Sequence, residues 1–283
     1  MKNKATILVT TDLSPNSKAG VRFAIQLAAQ TQSKLVFYHV IELLTPTSWS
    51  KEDAIHFVET TIKTGEEQLT AFLKPIYALF PAMSLKHESV VELGTDVDNL
   101  IINYAKKIEA DFICMSTHGG GVLDKIVGTN ASSLVSFSPI PVIVVPRNYH
   151  KKQIEKIGYA SDYAHIDHEM PIVQAFAASL NAQLDVYHFN YNVHDTHIKA
   201  VFEKIKHKYA SKKVFFHSPD ICLDYSLVEH LQRVIDKEKP SILVMFTEPK
   251  GNWLERFFIE SKTVDMSFNS KVPLLTMHKQ IMN

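Results

Sequence analysis

The sequence predicts an α/β protein built from two doubly wound, parallel, five-stranded sheets, Rossmann-like in plan. Three observations carry this. Short apolar, β-branched runs alternate with longer amphipathic segments from residue 5 onward, the pattern of strands buried on both faces beneath crossover helices. The pattern restarts after residue 154, and a repeat of this size marks two like units better than length alone. Within the first half, DFICMSTHGGGVLDKIVGTNASSLVSFSPIPVIVVPR (Asp111 to Arg147) reads as strand, glycine-rich loop, helix and strand. Glycines let a backbone turn sharply and approach a ligand closely. A helix starting directly afterwards presents unpaired N–H groups to an anion. This is a candidate phosphate site at the carboxyl end of a strand, where open α/β sheets bind ligands.

Taken in order, Ala5 to Thr11 is a first strand ended by Asp12, and Ser14, Pro15, Asn16 and Ser17 form a turn with an N-cap. Val21, Ala24, Ile25, Leu27 and Ala28 recur at helical spacing up to about Gln30. Leu35 to Ile41 is a second buried strand and Thr45 to Ser50 a loop. Lys51 to Leu79 predicts a long helix with Pro75 as a stop or kink near its end. Ser84 to Val91 alternates as a third strand, ended by Gly94. Asp96 or Thr95 caps a helix through Lys107, with Val97, Leu100, Ile101 and Tyr104 on one face. Phe112 to Met115 and Val142 to Val145 complete the strands of this half.

Tyr149 to Ile154 is polar and basic, and predicts a linker between domains at 1–148 and 154–283. After it, Lys156 to Ser161 with Asp162 echoes Ala5 to Thr11 with Asp12. Ala175 to Phe189 echoes Ala24 to Val40, and both copies carry Tyr-His, at Tyr38-His39 and Tyr187-His188, where ring packing is expected. Val272-Pro273-Leu274-Leu275 echoes Ile140-Pro141-Val142-Ile143. Between these lie a helix (His194 to Tyr209), a strand (Val214 to His217), a helix (Ser226 to Asp236), a strand (Ile242 to Phe246) and a helix (Trp253 to Met266). The copies part where chemistry is expected. Thr247-Glu248-Pro249-Lys250-Gly251 has one glycine, and Glu260-Ser261 stands in place of Gly128-Thr129. A glutamate at that helix start repels a phosphate. The second half therefore reads as a degenerate copy, structural or regulatory.

The formal net charge is zero, which argues against nucleic acid as the main partner. No apolar run reaches the length of a membrane span or a secretory leader, so the chain reads as soluble and cytoplasmic. Of the two cysteines, Cys114 lies in an apolar strand and Cys222 in a loop, and no disulfide is expected. His165, Asp167 and His168 cluster, as do His194, Asp195 and His197, but neither spacing matches a metal signature.

Asp12 after the first strand, Ser116-Thr117-His118-Gly119 after the fourth, Gly128-Thr129 and the closing Pro-Val-Ile-Val-Val-Pro together resemble the universal stress proteins, the tandem two-domain kind best. The resemblance covers nearly the whole chain. It implies an adenine nucleotide alpha hydrolase-like fold with strand order 3-2-1-4-5. It implies domains that pair through their fifth strands, an intramolecular pseudo-dimer that can also form a homodimer. It also implies ATP or another adenine nucleotide as ligand, with or without Mg. Thr10, Thr11 and Asp12 would line the adenosine, Asp12 reaching ribose or base, and Val40 would meet the adenine through its backbone. Met115, Ser116, His118 and Gly119 would form the loop; Gly128, Thr129 and Asn130 would hold phosphates. Two departures stand against the nucleotide-binding motif of the family, G-x2-G-x9-G-[S/T]. Its first glycine is Ser116 here, and eight residues rather than nine separate Gly119 from Gly128. One residue shortens a loop's reach by up to roughly 3.3–3.6 Å, which Gly120 and Gly121 can absorb through unusual turns.

No evident general base, activated nucleophile or Walker lysine is present. The reading is a stress-response sensor or regulator that binds an adenine nucleotide in its N-terminal domain and at most hydrolyses ATP slowly, with a protein partner still to be named. Ser116 and the shortened loop keep open a scaffold of the same fold without nucleotide. An ATP pyrophosphatase-type ligase ranks low, because Thr11-Asp12-Leu13-Ser14-Pro15 lacks the glycines of that enzyme's first loop.

Overall fold

Runs rich in Val, Ile, Leu and Phe become parallel strands, and the helices between them bury the faces of the sheets. The computed structural model describes residues 4–43, 49–81, 86–117, 129–163, 165–189, 196–219, 225, 227–247 and 272–278. The chain divides into two compact units, Met1–Lys151 and Lys152–Asn283.

In the first unit the order is β1 (Thr6–Thr10), α1 (Lys18–Thr31), β2 (Lys34–Ile41), α2 (Lys51–Tyr77), β3 (His87–Leu93), α3 (Val97–Lys107), β4 (Phe112–Ser116), α4 (Thr129–Phe137) and β5 (Val142–Val145). The strands are parallel in the order β3-β2-β1-β4-β5. The order reverses between β1 and β4, and that crevice is where such sheets take ligands. Right-handed crossovers put α1 and α2 on one face and α3 and α4 on the other, in keeping with the contacts of α1 with α2 and of α3 with α4.

The boundaries show what the sequence pattern missed. β3 begins at His87, later than the alternation suggests, because it pairs with β2 residue for residue from Leu35–His87 to Ile41–Leu93. Pro75 lies in the last turn of α2, which ends at Tyr77. Asp96 caps α3 by accepting from the Asn99 N–H at 3.3 Å. Ser17 stands at the cap position of α1 but makes no capping bond; its hydroxyl is used elsewhere. Cys114 is buried and free, and burial pushes its thiol pKa up. Cys222 lies outside the described residues.

The second unit contains β6 (Lys156–Ala160), α5 (Ile166–Ser179), β7 (Gln183–Tyr187), α6 (Thr196–Tyr209), β8 (Val214–His217), α7 (Leu227–Glu238), β9 (Ile242–Thr247) and β10 (Leu274–His278). Its strands are parallel in the order β8-β7-β6-β9-β10, which again is 3-2-1-4-5. The helix expected over Trp253 to Met266 lies outside the described residues. One core position departs from an apolar filling. Asp185 is fully buried, at the register position that Val36 holds in the first sheet. It accepts from Lys156 Nζ at 3.1 Å, His217 Nε2 at 3.0 Å and Gln183 Nε2 at 3.0 Å. Burial opposes the Lys156 charge, but hydrogen bonds to Glu238 and Asp185 outweigh it and its pKa is raised. A buried carboxylate is tolerated only with such partners. Lys156→Met therefore destabilises the second unit by about 1–3 kcal/mol in urea denaturation, whereas a surface lysine substitution leaves the midpoint in place.

Candidate functional site

β1 delivers its last residues to the carboxyl edge of the first sheet. Thr10 and Thr11 are buried there, and the Thr11 N–H donates to Tyr38 O at 3.1 Å. The turn that follows is held by its own hydroxyls. Thr11 Oγ1 accepts from the Leu13 N–H at 3.0 Å, and Ser17 Oγ donates to Ser14 O at 2.9 Å. Those two roles fix the third: Thr11 donates to Ser17 across the 2.7 Å contact of their oxygens. Asp12 Oδ1 accepts from the Ser14 N–H at 3.0 Å, an Asx-turn that sets its carboxylate while leaving the residue exposed at the edge. Leu13 takes φ 63°, a left-handed conformation that costs a residue with a Cβ about 1–2 kcal/mol.

The next strand arrives beside it. Val40, half-buried, is the penultimate residue of β2. The ring of His39 turns back, its Nδ1 donating to Thr11 O at 2.8 Å. From the other side of the crevice come the buried Met115 and Ser116 of β4. Ser116 Oγ accepts from the Gly20 N–H at 2.8 Å and donates to Ser17 O at 3.2 Å. This side chain, at the position of the motif's first glycine, is committed to α1. Gly20 makes the contact possible: a Cβ there would stand 2.9 Å from the Met115 carbonyl carbon and 3.0 Å from the Ser116 nitrogen. Neither Gly20 nor Ser17 belongs to the site set drawn from the sequence. A glycine in the first turn of a helix is the sequence signal that points to such a close approach.

Thr129 opens α4, Asn130 follows half-buried, and no acid lies in that first turn. A helix start without a carboxylate offers its N–H groups and dipole to an anion. Behind it, burial raises the Asp98 carboxyl pKa against the pull of a Ser133 hydrogen bond. His118, Gly119 and Gly128, with the rest of the glycine-rich loop, lie outside the described residues. So Thr10, Thr11, Asp12, Val40, Met115, Ser116, Thr129 and Asn130 all belong to the carboxyl end of this unit, with Asp12 exposed among them.

The second unit repeats the turn and alters what stands on it. The Ser161 N–H donates to Tyr187 O at 2.9 Å, the Tyr163 N–H to Ser161 Oγ at 3.1 Å, and His188 Nδ1 to Ser161 O at 3.0 Å. Tyr163 has φ 65° against 63° for Leu13. Tyr163 and His188 stack at 4.0 Å with planes 8° apart, and each is 8% exposed. Beyond the strand end, Phe189 and Tyr225 pack on His230, and Arg233 lies 3.8 Å over the Tyr225 ring. Rings thus seal an edge that the first unit finishes with Leu13 and Val40. The Tyr-His pairs do more than pack, since both histidines anchor the carbonyl after the first strand of their unit. Asp167 is taken by Lys208 and Tyr209, each at 2.7 Å. Among the described residues no group of His, Cys, Asp and Glu could hold a metal, and no helix is long and apolar enough to cross a membrane.

The profile of the Universal stress protein family matches residues 5–146. The chain is 29% identical over 139 residues to "Universal stress protein A homolog 1" of Coxiella burnetii, a match spanning 49% of this chain and 94% of that one. Among solved structures, a universal stress protein from Archaeoglobus fulgidus superposes with TM-score 0.69 at 16% identity, covering 98% of this chain and 99% of its own. A putative universal stress protein from Pseudomonas aeruginosa gives TM-score 0.63 at 14% identity over 99% and 95%. At such identities the likeness speaks for the fold.

Burial holds the His188 pKa below its ordinary value, against the pull of the Ser161 carbonyl and the Asp162 charge. The unfolded chain then takes up a proton more readily than the folded one. Stability is full above about pH 6.5 and falls as pH drops toward the depressed folded value. His188→Asn keeps a donor for Ser161 O and flattens that part of the stability–pH profile, read by urea midpoints between pH 7.5 and 5.

Proposed function

The chain belongs to the universal stress protein family, and we propose that its first unit binds an adenine nucleotide at the carboxyl edge of the sheet. The observation that carries this is the pairing, on one crevice, of the exposed Asp12 carboxylate with an acid-free helix start at Thr129. The carboxylate suits ribose hydroxyls or a base amine, and the helix start suits phosphate. Thr11, Val40, Met115 and Ser116 are the surrounding frame, and His118, Gly119, Gly128 and Asn130 complete the proposed contacts. The role is that of a sensor, in which occupancy alters a surface read by a protein partner. The second unit serves as a diverged copy without a nucleotide of its own, a reading supported by the Tyr163–His188 stack and the rings around His230.

One observation favours a scaffold of the same fold without nucleotide. Ser116 spends its hydroxyl on α1, so the loop leaves β4 from a residue with a side chain where the motif has glycine. Native mass spectrometry of the purified chain, followed by calorimetric titration with ATP, ADP and AMP with and without magnesium, separates the two. A retained adenine nucleotide, or one micromolar site per chain, supports binding; no heat up to millimolar nucleotide sinks it. Asp12→Ala is expected to weaken the nucleotide at least roughly tenfold, since a hydrogen bond to a charged group contributes about 1.5–3 kcal/mol. In the scaffold reading the same change alters only stability, by the loss of a local turn.

A further inference from the structure

α3 and α4 both begin at the carboxyl edge of the first sheet and pack against each other. Their first turns are filled differently. α3 carries acids of its own: Asp96 accepts from the Asn99 N–H as the cap, and Asp98 follows in the first turn. The first turn of α4 has none. A carboxylate in the first turn already answers the positive end of a helix dipole. Of the two neighbouring helix starts, α4 is therefore the one left open to an outside anion, and α3 brings negative charge close to it.

Asp98 does not stay on its own helix. The Ser133 hydroxyl, in the second turn of α4, donates to its carboxylate. Ser133 stands four residues after Thr129, about 6 Å along the axis at ~1.5 Å per residue. The carboxylate thus lies beside α4, one turn behind the end that faces the crevice. It is half-buried, and its Oδ1 is sealed from solvent with no hydrogen-bond partner among the described residues. The charge that reaches it, Asp96, has the same sign, and α4 has no charged residue from Thr129 to Phe137. Burial raises the Asp98 carboxyl pKa, the mark of a poorly solvated charge, and such a charge is also poorly screened. A phosphate at the α4 start would stand about 10 Å from it, a turn of helix plus the reach of a hydrogen bond. At that distance like charges cost roughly twofold to tenfold in affinity per unit of ligand charge, for an effective dielectric constant between about 80 and 25. Resting on the adenine-nucleotide reading above, we propose that Asp98 is a specificity-determining residue of that site: its charge behind α4 grades ligands by phosphate charge and holds back the triphosphate more than the monophosphate.

The test is calorimetric titration of the full chain with adenosine, AMP and magnesium-free ATP, at one pH and at low and moderate salt. It compares the unaltered chain with Asp98→Asn, which keeps an acceptor for Ser133, with Asp98→Glu, and with Ser133→Ala, which keeps the charge. Urea midpoints confirm that every variant is folded. Asp98→Asn is expected to tighten AMP at least roughly twofold and ATP at least roughly fivefold while leaving adenosine unchanged, and the gain shrinks as salt rises. Asp98→Glu keeps the original order of ligands, and Ser133→Ala does not reproduce the gain. ATP that binds Asp98→Asn but not the unaltered chain also supports the proposal. A merely structural Asp98 would shift adenosine and ATP together, with Ser133→Ala doing the same, and that result overturns it. So does a nucleotide that binds with the same affinities whether residue 98 is Asp or Asn. No binding in any variant overturns the nucleotide reading itself, and the role of Asp98 falls with it.

Discussion

The geometry of the first unit's edge depends on how closely α1 approaches the end of β4. Gly20 brings the first turn of the helix within reach of the strand, and Ser116 fastens it there through two hydrogen bonds. The turn that carries Asp12 is tied to that contact through Ser17. The turn between β1 and α1 has its far end fixed at Ser17, so its hydroxyl network closes and Asp12 is presented in one orientation. An added methyl at Gly20 would have to move backbone, and packed backbone yields only at a cost of about 1–3 kcal/mol. A chain that accepts such a constraint at this edge gains a fixed carboxylate beside a helix start.

Much of this was legible in the sequence, and for identifiable reasons. The strands β1, β2, β4 and β5 are continuous apolar runs, so their pattern alone outlines them. Strand order came with the family resemblance, and a single sheet order, 3-2-1-4-5, describes each unit. β3 was harder to delimit. Its outer residues, His87 to Ser89, are exposed on an edge strand, so burial leaves little periodicity there and pairing with β2 sets the bounds instead. Ser17 was legible as a cap position but not as a hub, because hydroxyls choose partners by distance in the folded turn rather than by composition.

The site was legible in its chemistry and opaque in its commitments. Asp12 could be singled out because it ends a buried strand. That Ser116 turns toward α1 could not, since the deciding atoms, Gly20 N and Ser17 O, lie 96 and 99 residues away in sequence. The recurring Tyr-His pairs carried a signal whose content only geometry gives. Repetition marked the histidines, and the shared bonds to Thr11 O and Ser161 O explain the repetition. The Asp185 cluster left no local trace either, because its members come from β6, β7, β8 and α7.

The left-handed residue after the first strand has a consequence for how such a protein diverges. Leu13 and Tyr163 share a backbone conformation within two degrees of φ, and their amides make the same bond to the preceding hydroxyl. Direction is therefore inherited while identity is not. The same position carries an aliphatic side chain in the first unit and, in the second, a ring stacked on the histidine that holds the turn. Such a position lets the chemistry over a strand end vary while the backbone that presents it is kept.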